Sequence, residues 1–251
     1  MASDATFVLT SSPKALNVVI RMEPIQKYPY NVRSFFTPQG KQVVGSGLEL
    51  WRGYFQSIRP SVGRLIVNVD ISTGMMFKPG TLIDLCLDFL GRGGADPKIL
   101  SPEQGFPDRE RIRLQKFIKN LQVKIKTKTT DKSAGVKGLS REGADKLIFD
   151  HNGTKISVAQ YFRQHLNQPL RFPSVICIEV LFRPCFYRCH SQDPQVGKGA
   201  MYPLEFCSVP EGQIARRQVP PDVTRKMVEF SAVRPGDRFR DIERGVGVCR
   251  F

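Results

Sequence analysis

Apolar and polar positions along this chain follow two periods, one strand-like and one helix-like, and together they predict most of its elements. In Leu121-Gln-Val-Lys-Ile-Lys-Thr-Lys128 the alternation is unbroken. Leu121, Val123 and Ile125 face a core, while Gln122, Lys124, Lys126 and Lys128 face water or a ligand. Residues 47–60 alternate in the same way, with Leu48, Leu50 and Arg52 set against Glu49 and Trp51, then Tyr54, Gln56 and Ile58. The β-rich run 64–72 follows after a Pro-Ser-Val-Gly connection, so the two runs predict an antiparallel pair. A helical period over 82–90 ends at Gly91, and Pro107 opens a second helix whose apolar positions are Ile112, Leu114, Phe117 and Ile118. Between them, 93–105 is a loop rich in Gly and Pro.

The less regular stretches carry weaker signals. Residues 1–13 read as loose, 15–21 as a helix or strand closed by Pro24, 28–36 as aromatic-rich, and 38–40 as a turn. The stretch 132–142 is polar and contains glycine. Leu147-Ile-Phe149 leads to a turn at His151-Asn-Gly153. Val175 to Val180 is a β-branched run that predicts a buried strand, and 197–207 predicts a strand after its proline. Pro220 starts a helix running to Phe230, and the charged 234–244 reads as extended.

Ser157-Val-Ala-Gln-Tyr-Phe-Arg-Gln-His-Leu166 organises the chemistry. Ser157 and Gln160 stand at capping-box spacing, so a short helix begins here. Tyr161 and Phe162 lie about 100° apart around its axis and cannot share a face. With Phe162 packed inward beside Val158 and Leu166, Tyr161 turns its hydroxyl toward a cleft, where Arg163 and His165 are phosphate-seeking neighbours. Phe149 precedes the helix across a turn, and two rings so placed read as the two walls of a slot for the base or sugar of an unstacked nucleotide, each contact contributing about 1–3 kcal/mol. The same letters also fit an ordinary half-buried core tyrosine and a plain apolar contact across the turn. The lysines of 121–128 likewise read as a solvated face or as a binding stripe.

Charge shifts the balance toward polyanions. Lys and Arg number 38 against 23 Asp and Glu, a net +15 in 251 residues. Neutralising phosphates releases condensed counterions, so such an excess favours nucleic acid over neutral ligands. No apolar run approaches the roughly 20 residues a membrane helix needs, and the N-terminus has no signal-peptide pattern. The expectation is a soluble protein without a membrane partner, cytoplasmic with the nucleus as second compartment. The six cysteines form no repeated Cys-x-x-Cys pair. Cys86 and Cys177 read as small core residues, and the Cys185, Cys189 and His190 cluster lacks a fourth ligand, so neither metal nor cofactor is expected. The common nucleotide-loop, zinc-protease and serine-hydrolase motifs are missing, and no convincing carboxylate set appears, so no enzyme is expected.

Several ordered motifs resemble the Argonaute family. Residues 47–60 with 65–72 resemble its first linker domain. Val158-Ala-Gln-Tyr-Phe162, Leu170-Arg-Phe-Pro173, Cys177-Ile-Glu-Val180 and Tyr202-Pro-Leu-Glu-Phe-Cys207 resemble its PAZ domain, and stretches near 16–37 and 212–235 resemble the flanking N-terminal and second-linker segments. The resemblance implies an α+β, β-rich chain: a remnant of the N-terminal domain at 1–37 and a small α/β linker at 38–80. An OB-like PAZ barrel with an inserted hairpin-and-helix flap follows at 81–210, and the start of the second linker at 211–251. It implies that Phe149 backs the terminal nucleotide of a small single-stranded RNA or duplex 3′ overhang. Tyr161 and Arg163 would meet its phosphate, with Tyr202 and Leu204 on the closing segment. Lys124, Lys126 and His165 complete the expected RNA-binding set, and proteins of the silencing complex are further implied partners. Thr127 stands where the family often has a histidine, and Ala134 where it often has a flap tyrosine, which leaves His165 as the substitute. The block 181–196 reads as an insertion, expected to be a translated intron or a gene-model artefact, because its removal would join Val180 to Gly197. The chain stops before the MID and PIWI domains, so the resemblance implies RNA binding without cleavage. The competing readings are a regulatory fragment whose pocket the insertion disrupts, and a non-specific polyanion binder.

Overall fold

The structure, a computed structural model, describes residues 3–62, 64–128, 131–181, 199–215 and 221–249. The expected insertion after Leu181 therefore lies outside the described residues, as do Cys185, Cys189 and His190. The chain divides into two units. One comprises 1–44, 48–76 and 214–251, and the other 45–47 and 77–213. Segments expected as an N-terminal remnant, a first linker and a second linker thus fold as one body.

In the first unit, helix α1 (Ser3–Lys27) precedes a three-stranded sheet of β1 (Ser34–Gly45), β2 (Leu48–Ser61) and β3 (Arg64–Phe77), in the order β1-β2-β3. α1 is tied to β2 by polar side chains: Ile58 N–H donates to Asn17 Oδ1 at 2.7 Å, and Gln56 Nε2 donates to the Ile20 carbonyl at 2.9 Å. The helix runs on through Pro24, where closure was expected. The turn expected at 38–40 is instead part of β1. As an edge strand, β1 accommodates Pro38, whose missing N–H costs no ladder bond on the open side, and Gly40 takes a positive φ of 71°.

The unit closes with α5 (Pro221–Ser231) and α6 (Pro235–Cys249). α6 corrects the expectation of an extended 234–244. Pro235 stands at the first helical position, and Asp237–Arg240 and Asp241–Arg244 pair one turn apart. The least exposed positions, Asp237, Asp241, Ile242, Gly245 and Val248, recur at helical spacing. High charge concealed that period. Gly245 is required where α6 meets Tyr54, since a Cβ there would overlap the tyrosine ring.

The second unit is built on a six-stranded antiparallel sheet. Its strands are β4 (Gly80–Thr81), β5 (Gln122–Lys126), β6 (Asp131–Gly143), β9 (Ile176–Leu181), β10 (Ala200–Pro203) and β11 (Cys207–Val209). Hydrogen bonding orders them β10-β9-β6-β5-β11-β4. Helix α2 (Leu82–Phe89) is capped by Thr81, and α3 (Asp108–Ile118) stacks Phe117 on Phe89 with ring centroids 4.0 Å apart. Of the predicted apolar positions in α3, Ile112 is 42% exposed. Arg111 is buried instead, donating to Asp108 Oδ1 at 2.7 Å and to the Leu139 carbonyl at 3.4 Å.

β5 keeps its predicted parity, with Val123 and Ile125 fully buried. The central strand β6 is the element least visible in the letters. Its register shifts between Val136 and Gly138 and again between Leu139 and Gly143. The first shift, one extra residue, reverses which side chains face inward, and the second adds two residues without partners, so alternation fails along the strand. Ala134 sits on β6 opposite Val123 and is 1% exposed. The position compared with a flap tyrosine is therefore a small residue in the core of the sheet. Where a strand was expected after Pro203, the strand β10 instead precedes that proline and ends at it; a 3₁₀ turn, Leu204–Phe206, follows before β11. Among the described residues, no helix is long and apolar enough to cross a membrane.

Candidate nucleic-acid interface

Between β6 and β9 the chain inserts a hairpin, β7 (Ile148–His151) and β8 (Thr154–Ser157), and the short helix α4 (Val158–Gln164). Asn152 and Gly153 both take positive φ, 54° and 81°, the requirement of the tight turn that Asn-Gly supplies. Asp150 Oδ1 accepts the Gly153 N–H at 2.8 Å and fixes the turn. At the other end the capping box is present in full. Gln160 N–H donates to Ser157 Oγ at 3.2 Å, and Ser157 N–H donates to Gln160 Oε1 at 3.0 Å.

The two neighbouring rings of α4 separate as their helical spacing requires. Phe162 is 2% exposed and packs with Val158, Ala144 and Cys177, its ring stacked on Phe206 at 5.1 Å. Burial, then the nearby Asp145 and Glu205 carboxylates, push the Cys177 thiol up to about 12, so it remains a neutral core group. Tyr161 turns the other way, into a cluster of rings that the hairpin completes. Its centroid lies 5.5 Å from Phe149, 5.1 Å from His151 and 5.1 Å from His165. The His165 ring lies nearly parallel to it, at 29°, and Phe149 meets it edge-on, at 70°.

This geometry corrects one expectation. Phe149 and Tyr161 are not two walls of a slot: their edge-to-face contact closes the space between them to a base. They form one aromatic surface, onto which a ribose or base would lie from outside. His151 belongs to that surface and escaped the sequence reading, which placed it only in the turn. Strand parity held the signal, because 149 and 151 share a face and oppose Ile156 and Thr154 on β8.

The other expected residues occupy varied positions. Arg163 is exposed in the last turn of α4. Tyr202, on β10, is half-buried and meets Phe162 edge-on at 6.4 Å. Leu204 is 1% exposed in the 3₁₀ turn and offers no surface to a ligand; the turn that follows Pro203 directs it into the core. Lys124 and Lys126 are exposed on the outer side of β5, two strands from β9 in the sheet. They connect to the insert through Lys128, whose N–H donates to Gln168 Oε1 at 3.0 Å and whose Nζ donates to the Asn167 carbonyl at 2.9 Å. The end of the lysine strand is thereby fixed to the chain leaving α4.

Comparison with known proteins agrees with this architecture. Residues 32–78 match the Argonaute linker 1 domain, and residues 98–227, more than half the chain, match the PAZ domain. Protein argonaute 1D of Oryza sativa is 30% identical over 234 residues, covering 91% of this chain and 21% of that protein. The argonaute of Schizosaccharomyces pombe is 29% identical over 240 residues, covering 93% and 26%. Among solved structures, Kluyveromyces polysporus Argonaute with a guide RNA has a similar fold, with a TM-score of 0.58 at 18% identity over 86% of this chain and 24% of that one. This chain therefore spans about a fifth to a quarter of the length of these relatives. With a linker 1 domain followed by a PAZ domain built around a hairpin-and-helix insert, the chain belongs to the Argonaute family and carries its linker 1 and PAZ segment.

Proposed function

We propose that this chain binds the 3′ end of a small single-stranded RNA, or the 3′ overhang of a duplex, in RNA-mediated silencing. The observation that carries the reading is the joined aromatic surface of Phe149, His151, Tyr161 and His165 on the insert of a PAZ domain. A terminal nucleotide has one face free of its neighbours, so it can lie on rings that a base inside a duplex cannot reach. Arg163 and the lysines of β5 supply cations for the backbone, and the net +15 adds attraction that does not depend on sequence. The guide RNA held by the Kluyveromyces polysporus relative supports this ligand class. The proposed role is binding, and cleavage is assigned to no residue of this segment.

Fluorescence anisotropy with labelled RNA tests the reading. A duplex with a two-nucleotide 3′ overhang binds about tenfold more tightly than a blunt duplex of equal charge, as one or two stacking contacts of about 1–3 kcal/mol each require. Equal affinity for the two, falling together with added salt, would leave only a non-specific polyanion binder.

A further inference from the structure

We infer that the first unit carries a second binding site, between α1 and β2, for a peptide segment that presents a large apolar side chain next to a carboxylate. A pocket of about 470 Å³ opens there. Val18, Arg21 and Ile25 line it from α1, Ser57 from β2, and Tyr30 and Val32 from the connection between α1 and β1. Hydrogen bonds fix its walls. Those from Ile58 to Asn17 and from Gln56 to Ile20 hold α1 on β2. Asn31 Oδ1 accepts the Arg33 and Ser34 N–H groups, each at 2.8 Å, and so sets the turn that carries Val32. A pocket held this way is formed before a ligand arrives.

Two polar groups in the pocket lack the partners that burial ordinarily demands. Ser57 is 7% exposed, and its Oγ is buried with no hydrogen bond. Arg21 donates Nη1 to the Val32 carbonyl at 3.2 Å and Nη2 to the Gln56 carbonyl at 3.1 Å, which leaves its Nε–H buried and unpaired. No carboxylate neutralises this guanidinium among the described residues. Along 15–27, 30–34 and 55–58, the segments around the pocket, the single acidic residue is Glu23. It stands about 200° from Arg21 around the helix and pairs with Lys27 at 2.6 Å. One ligand carboxylate answers both needs, its oxygens accepting from Arg21 Nε–H and Ser57 Oγ–H. The rest of the pocket is apolar and open at its rim, where Val32 is 89% exposed beside Val18 and Tyr30. Val19 and Met22, also exposed on α1, extend that apolar area past the pocket, so a peptide covers it where a small free acid would not. An RNA backbone offers anions but no apolar group to fill such a pocket, while the net +15 of the chain attracts an acidic peptide equally well.

Fluorescence anisotropy with the full chain tests the site. The probe is the amidated, fluorescein-labelled peptide Gly-Ser-Phe-Asp-Ser-Gly, with two controls in which asparagine replaces the aspartate or serine replaces the phenylalanine. The wild type binds the probe about tenfold more tightly than either control. Ser57→Ala weakens probe binding about threefold to tenfold, through the lost hydroxyl. Val32→Glu sets a carboxylate against that of the peptide from an exposed position, and weakens it about tenfold or more. Thermal melts show that both variants fold, and overhang RNA binds them as it binds the wild type, since neither change touches the aromatic surface. Undetectable probe binding, equal affinity for the three peptides, or variants that bind the probe as the wild type does overturn the inference. So does an equal loss of RNA and peptide affinity in Val32→Glu, which would make this face part of an RNA path.

Discussion

Adjacent residues 161 and 162 should fail in opposite ways when truncated. Phe162 is 2% exposed and lies against Val158, Ala144, Cys177, Tyr202 and Phe206. Phe162→Ala empties a ring-sized volume in that cluster and costs about 3–5 kcal/mol, the range for buried phenylalanines with little room to relax. Tyr161 is half-buried, and its neighbours on the outer side are rings in edge contact or stacked at 5.1–5.5 Å. Tyr161→Ala leaves no enclosed cavity and removes one aromatic pair with Phe149, worth about 0.5–1.5 kcal/mol, together with weaker contacts to His151 and His165 at the surface, so its stability cost is about 1–2 kcal/mol. Its larger effect is on RNA, where a lost ring contact weakens 3′-overhang binding by about 1–3 kcal/mol. Urea denaturation followed by far-UV circular dichroism gives the first pair of values, and anisotropy on the folded Tyr161→Ala chain gives the second. If Tyr161→Ala destabilises as much as Phe162→Ala while overhang affinity is unchanged, Tyr161 is a core residue and the division of α4 into two faces is wrong.

Two further outcomes follow from the packing. Gly53→Ala forces a methyl group into the Phe36 ring and to 2.7 Å from the Phe35 carbonyl oxygen, so it destabilises the first unit by about 1–3 kcal/mol; a denaturation midpoint equal to wild type contradicts the packing of β1 on β2. Cys86, Cys177 and Cys207 are buried free thiols whose ionisation is pushed up by burial, in the case of Cys177 to about 12 from an ordinary 9.0. Because the folded value is the raised one, the stability these groups contribute is complete below about pH 9 and is lost above it, as the unfolded chain ionises first. Each thiol adds about 1.4 kcal/mol of loss per pH unit in that window. Under reducing conditions, Cys177→Ala therefore shows a shallower fall in stability between about pH 9 and 11, and an unchanged slope contradicts the assignment.

Legibility in the sequence tracked how faithfully each element keeps its period. β5 and α4 could be read residue by residue, because Leu121 to Lys128 alternates without interruption and Ser157 with Gln160 announces the helix start. β6 was not legible, since a one-residue bulge after Val136 resets its parity, a second irregularity interrupts its pairing, and glycine at 135, 138 and 143 leaves few side chains to count. α6 was hidden by its arginines and aspartates, which read as a solvated coil until they are seen to pair at helical spacing. In the candidate site, Tyr161 and Phe149 were accessible because aromatic residues beside a turn and a cap are conspicuous. His151 required knowing that the hairpin turns at 152–153, so that strand parity carries 149 and 151 to one face. Leu204 erred in the opposite direction, because a 3₁₀ turn after Pro203 sends it inward where a continuing strand would have alternated.

Hydrogen exchange read by mass spectrometry, with and without a 3′-overhang RNA, locates the bound end most directly. Protection gained on binding should concentrate in the hairpin and α4, across residues 148–166, with a smaller gain at 124–128. Protection spread evenly over the basic surface, or confined to the first unit, would contradict an RNA end resting on the Phe149–Tyr161 face.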